Sequence, residues 1–397
     1  MQPRRTATVV VALGLGAALL WWAADDSPQA APSPAVALAA PSEPVAPMAD
    51  SAKPAAPRHA DKAAARALWE QRLQRARHTL DSYRLATRYP HESRPLAEHP
   101  DQVRPFEPVV NERPLRVAGG ATVDGLNLRT TQERVYSAGD ESVLFTVAAV
   151  DGEGRIVPMQ VPRAMAHEGA TGLKPSRVAP VSIQFTDDGR GGDATAGDGV
   201  LSFRLQPARD GFAELDGVIR VELALQAGDQ PGYAFFDVIH SPGAPAVWGG
   251  VVREAVEKGS LNLYLPVQIQ QAGRYVVSGR IDDANGRPVA LVNFNEELGV
   301  GPGEFRLQLF GKLLRDMQPA FPLALRDVEA FLLKPDAFPD RALMPRRVGL
   351  VHRTQDYPLV AFSNAEWTSE ERSRYLAEYT KDVREAEDQL NNLGSGP

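Results

Sequence analysis

Four aspartates, Asp187, Asp188, Asp193 and Asp198, fall in one glycine-rich stretch, Thr186-Asp-Asp-Gly-Arg-Gly-Gly-Asp-Ala-Thr-Ala-Gly-Asp-Gly-Val200. Hard carboxylate oxygens close in sequence, on a backbone free to fold round a centre, are what Ca²⁺ takes as ligands. The order of ligands is not that of an EF-hand, because no Glu closes the loop. These four residues are the candidate metal ligands and Ca²⁺ the candidate cofactor. A second reading makes the same residues a wide structural loop, with Asp side chains in Asx turns and Gly at positive φ.

Other chemistry is thin. The chain has no cysteine, which removes thiol nucleophiles, disulfides, Cys-based metal sites and a lipid-modified N-terminal Cys. His91-Glu92 and His167-Glu168 lack the second His of a zinc-protease helix, and neither Gly-x-Ser-x-Gly nor a phosphate-binding Gly-x-x-x-x-Gly-Lys occurs. His91, Glu92, Glu98, His99 and Asp101 match no metal-ligand spacing. Glu296 and Glu297 are neighbours on an expected strand and would point to opposite faces. No catalytic residue and no organic cofactor is assigned, and the chain is not expected to be an enzyme.

The elements around the aspartates read as β. Ser142–Val150 and Arg155–Val161 flank Asp151-Gly-Glu-Gly154, a hairpin signal, and short apolar runs follow at Val181–Phe185, Val200–Leu205, Val218–Leu225 and Tyr233–Ile239. After Ser241-Pro-Gly-Ala-Pro245 the pattern repeats, with Asp282-Asp-Ala-Asn-Gly286 as a tight turn between two strands. The fold class expected is mostly β: two tandem immunoglobulin-like β-sandwiches over 115–243 and 244–360. Flanking them are a helix over 61–88, a proline-rich strap over 89–114 lying on the first sandwich, and a C-terminal helix and tail over 361–397. The N-terminal helix carries one apolar seam, Trp69, Leu73, Ala76, Leu80 and Tyr83, suited to packing on its own β-domain or to a short coiled coil. Ser363-Asn-Ala-Glu366 reads as the cap of the last helix.

The run from Asp187 to Leu201 resembles the signature loop of the choice-of-anchor X type domain, an Ig-like β-domain of bacterial surface and exported proteins. Gly273–Val289 resembles other Ig-like extracellular modules. The resemblance implies an ectodomain and no defined activity.

Ala7 to Ala24 is an uncharged run preceded by Arg4 and Arg5 and followed by Asp25 and Asp26. As a helix it would reach roughly 27 Å, close to a bilayer's hydrocarbon thickness. Residues 1–26 are therefore expected to be a cytoplasmic tip and single transmembrane anchor, with residues 27–60 a Pro/Ala-rich tether. The placement expected is the inner membrane, N-terminus cytoplasmic and bulk periplasmic. A net charge of −7 argues against nucleic acid as a partner. The expected function is a membrane-anchored periplasmic or envelope protein, binding or structural, with an envelope protein as partner. The competing class is an envelope hydrolase whose site is assembled from distant residues.

Overall fold

Alternation of apolar and polar residues makes the sheets. In the strand Gly217–Ala227, Ile219, Val221, Leu223 and Leu225 are buried while Arg220, Glu222 and Gln226 face outward. The structure is a computed structural model that describes residues 59–117, 120–169 and 178–394. In chain order it begins with α1 (His59–Ala86), β1 (Ser93–Pro95), β2 (Val109–Arg116), β3 (Thr122–Gln132), β4 (Tyr136–Ala138) and β5 (Val143–Asp151). It continues with β6 (Ile156–Val157), β7 (Met159–Glu168), β8 (Val181–Ile183), β9 (Leu201–Leu205), β10 (Gly217–Ala227) and β11 (Gln230–Ser241). One sheet has the order β2-β3-β5-β6 with β9 also on β5, and a second has the order β4-β11-β10-β7-β8. Phe145, Val147, Leu205, Phe212, Ile219, Val221 and Phe236 fill the core that these strands share.

The second half holds β12 (Ala246–Trp248), β13 (Arg253–Glu257), β14 (Ser260–Ile269), β15 (Gly273–Asp282), β16 (Pro288–Leu298) and β17 (Gly301–Leu309). After α2 (Gly311–Met317) come β18 (Ala324–Leu333), β19 (Arg341–Leu343), β20 (Arg347–Arg353) and α3 (Glu370–Gly394). Here β14 pairs with β12, β13 and β17, and the facing sheet runs β1-β16-β15-β18-β19 with β20 also on β18. Leu263, Leu265, Tyr275, Val277, Phe305, Leu307 and Leu325 lie in its core. The Asp282–Gly286 turn closes β15 on β16: Asp283 accepts from the backbone of Asn285 and Arg287, and Gly286 has φ +75°.

The strap is ordered, but it lies on the second sandwich and not on the first. β1 pairs with β16, Ser93 Oγ accepts from the Phe310 backbone, and Leu96 is fully buried. Arg280, on the outer side of β15, is fully buried beneath it and donates to the Gln102 carbonyl and to Gln102 Oε1. Phe106 stands 5.9 Å from the Arg280 guanidinium and 4.6 Å from that of Arg346. A second sheet face covered by a strap explains why β15 is buried almost throughout. Lys334–Asp216 at 2.7 Å and the Arg341 guanidinium over Tyr136 join the two sandwiches directly.

The seam of α1 packs on α3. Tyr83 meets Tyr375 and Tyr379 with ring centroids 5.8 and 5.2 Å apart, and Arg77 pairs with Glu387 at 2.7 Å, so the helices run antiparallel. The last helix begins at Glu370 and not at the expected Ser363 cap. Ser369 Oγ accepts from the Arg372 backbone, and Glu370 and Glu371 in the first turn favour that start through the helix dipole.

Placement in the inner membrane is corrected. No helix among the described residues is long and apolar enough to cross a membrane. The Ala7–Ala24 run and the tether, on which that placement rested, lie outside the described residues.

Candidate functional site

The acidic loop is closed at its base by a bridge between Thr186 and Ser202, with N–H to O distances of 3.0 and 2.8 Å. Asp187, Asp193 and Asp198 converge there, each offering one carboxylate oxygen within 4.8 Å of the others. Asp188 is turned away and accepts from the Arg190 backbone and from Thr186 Oγ1. All four side chains take backbone N–H groups of their own loop. Asp187 accepts from Gly197 at 2.6 Å and Gly199 at 2.8 Å, Asp193 from Gly189 at 2.5 Å, and Asp198 from Val200 at 2.9 Å. Gly199 is required: its φ is +82°, and a Cβ there would sit 2.6 Å from Ile156. Among the described residues this is the one cluster with metal-ligating geometry. The strap residues form none; His91 lies against Glu92, and Glu98 pairs with Arg94.

A loop held by its own carboxylates makes a prediction. Asp187→Ala removes two charge-assisted hydrogen bonds and should cost about 1–2 kcal/mol, the loss being softened by hydration of exposed N–H groups. The melting temperature should be the same in millimolar Ca²⁺ and in chelator. A rise with Ca²⁺ that disappears in Asp193→Ala or Asp198→Ala would assign the loop to a cation instead.

A different surface carries the binding chemistry. On the outer side of the β7-β10-β11 sheet, Tyr233 and Phe235 are 39 % and 50 % exposed, with ring centroids 6.3 Å apart. The cross-strand register puts Arg220 opposite Asp237 and Glu222 opposite Phe235. Arg220 grips both oxygens of Asp237 at 2.8 Å, which raises its basicity, and its guanidinium lies 4.4 Å over the Phe235 ring. Glu222 lies 3.3 Å from His167. Partial burial and a hydrogen bond to Glu222 raise the Tyr233 hydroxyl above its usual range. The alternation in Gln230–Ser241 is the sequence signal that places Tyr233, Phe235 and Asp237 on one face.

No family model matches this sequence, and no curated protein does. Solved structures show distant likenesses. A DUF4785 family protein from Legionella pneumophila is 12 % identical, with a TM-score of 0.39 over 57 % of this chain and 57 % of that protein. E. coli alpha-2-macroglobulin is 12 % identical, with a TM-score of 0.26 over 62 % of this chain and 18 % of that one. A DUF3823 family protein from Bacteroides ovatus is 11 % identical, with a TM-score of 0.19 over 50 % of this chain and 95 % of that one. The chain thus spans little more than half of the Legionella protein. The two DUF descriptions name no catalytic family.

Two constellations deserve a chemical test as hydrolase sites, and both fail it. A cavity of about 390 Å³ is lined by Arg315, Asp316, Gln318, Leu359 and Asn364. Its carboxylate is already engaged by Tyr89 at 2.9 Å, Arg88 at 2.8 Å and Lys312 at 3.3 Å. Burial and the bond to Asp316 push the Tyr89 hydroxyl up to about 12, far from a group that exchanges protons near neutrality. Ser137 Oγ lies 3.0 Å from His240 Nδ1, the spacing of a nucleophile and its base. Both residues are fully buried, so no substrate carbonyl can reach the hydroxyl.

Proposed function

We propose that this chain is a non-catalytic recognition protein, built on two immunoglobulin-like modules, that binds a protein partner through the outer face of the first one. The observation that carries this reading is the half-exposed pair Tyr233 and Phe235, set beside Arg220, Glu222, Asp237 and His167 on a sheet. Tyr, Phe and Arg are the residues in which protein interfaces concentrate their energy, because rigid rings bury large area at small entropic cost. The Arg220–Asp237 fork holds its two side chains in place before any partner arrives, which lowers the ordering cost of association.

The test is crosslinking and affinity capture with the full chain and with Tyr233→Ser/Phe235→Ser. Truncating two central aromatic anchors should weaken a captured complex by about thirtyfold or more, on the order of 2 kcal/mol. Thermal stability should barely change, since both rings are solvent-facing. A variant that captures the same partner undiminished would place recognition elsewhere.

A further inference from the structure

The two long helices form a hairpin whose seam is only half covered. Over both helices Leu80, Arg372 and Ala386 are the buried residues. Trp69, Leu73, Ala76 and Tyr83 on α1, with Leu376, Tyr379, Val383 and Leu390 on α3, stay partly open. Leu68 and Tyr375, at 47 % and 38 %, are exposed outright.

The open side has a defined composition. At about 100° per residue, Leu68, Arg72, Arg75 and Thr79 flank the α1 seam on one side. Tyr375, Glu378, Asp382 and Glu385 flank the α3 seam in the same sense. Antiparallel packing brings these flanks to the same side of the hairpin, consistent with Tyr83 reaching both Tyr375 and Tyr379 there. Arg72 lies 4.5 Å over the Trp69 ring, extending the apolar surface with a cation on it. The two helices also differ in charge. α1 has six Lys/Arg against three Asp/Glu, and α3 has seven Asp/Glu against four Lys/Arg. Arg77–Glu387 uses one pair across the hairpin, while Arg75, Glu378, Asp382, Glu385 and Asp388 face solvent.

We propose that this hairpin face seats the hairpin of a second copy of the chain, α1 of each on α3 of the other, as an antiparallel four-helix bundle. A basic strand of surface beside an acidic one is self-complementary under a two-fold axis and under no other stacking of two hairpins, because α1 on α1 sets Arg72 and Arg75 against themselves. The area suffices: a face about 37 Å long and two helices, about 20 Å, wide offers some 740 Å² per copy, near the ~800 Å² of a stable interface. Leu68 and Tyr375 gain burial in this arrangement, and the seam gains the third and fourth layers that two helices alone lack. Two recognition faces would then be carried by one particle, so a multivalent partner would be held more tightly than by either face alone.

Light scattering and sedimentation of the full chain test this. The expected mass is twice 43.0 kDa at micromolar concentration. Leu68→Glu/Tyr375→Glu should weaken self-association at least about tenfold while the sandwiches melt unchanged. Because that variant can also loosen the hairpin, Arg75→Glu and Asp382→Lys supply a second measurement: both residues are exposed and lie outside the seam. Each alone should shift the chain toward monomer, and an equimolar mixture should recover the dimer as a heterodimer. A chain that stays monomeric throughout, a dimer that survives Leu68→Glu/Tyr375→Glu with full helical signal, or a mixture that fails to recover association overturns the proposal.

Discussion

Arg280→Ala is expected to lower stability by about 3 kcal/mol or more, among the largest effects of any single substitution in this chain. The guanidinium is fully buried and ties the strap to β18 across β15. It donates to the Asp327 carbonyl at 2.8 Å, to Glu329 Oε1 at 2.8 Å and to the Gln102 carbonyl at 3.3 Å, with a further bond to Gln102 Oε1. Truncation leaves these acceptors without their donor in a closed site and opens a cavity under Phe106. Glu329, whose side chain is 34 % exposed, can rehydrate, which keeps the cost toward the lower end of the 3–5 kcal/mol range for broken buried ion pairs. Arg280→Lys should recover less than half of the loss, because one ammonium cannot reach acceptors spread over Gln102 in the strap and Asp327 and Glu329 in β18. Urea unfolding measures the cost, and limited proteolysis measures the consequence: the strap, freed from its anchor, should be cut between residues 96 and 106 in the native state. A variant that unfolds at the same urea concentration with the strap uncut would show that Arg280 is not its anchor.

What could be read from the sequence was local. The Asp282–Gly286 turn is written in five adjacent residues, and the φ of Gly286 follows from them. The convergence of Asp187, Asp193 and Asp198 likewise comes from one loop, although the exclusion of Asp188 depends on its bond to the Arg190 backbone. What could not be read was pairing across distance. Gln102 and Arg280 stand 178 residues apart, and Arg77 and Glu387 stand 310 apart. Neither pair has a sequence pattern that names its partner. Sequence order favours the strap lying on the sandwich that follows it, whereas β16 of the second sandwich offers the open edge that β1 fills. The spacing of Trp69, Leu73, Ala76, Leu80 and Tyr83 marks an apolar seam without naming its partner, which is α3 and not the expected β-domain. Only the three-dimensional path of the chain brings α3 to it.

The second large effect is on pH dependence and centres on His240. Among the described residues it is the one histidine with no exposure. Its Nδ1 lies 3.0 Å from Ser137 Oγ, and its Nε2 is buried without a partner. Burial holds the imidazolium below the usual histidine range, outweighing the pull of the hydrogen bond with Ser137 and of Asp216. Asp216 is itself engaged by Lys334. The folded chain therefore binds this proton less readily than the unfolded chain. The stability that neutral His240 contributes is complete above the unfolded value of 6.5 and is lost as pH falls below it toward the folded pKa. While the unfolded chain carries the extra proton, the slope is about 1.4 kcal/mol per pH unit. Asp151, Asp283 and Asp340 also have depressed pKa values, but from a starting point of 3.8. Their stabilising contributions disappear only in more acidic solution. Unfolding free energy between pH 7.5 and 5 measures this loss, and His240→Asn, which keeps an amide N–H near Ser137, should make the curve shallower over that interval. Because Ser137 and His240 join β4 to β11 beside the Asp216–Lys334 contact, the same acidification should loosen the joint between the sandwiches before either core melts. An unchanged slope in His240→Asn would assign the pH dependence to another group.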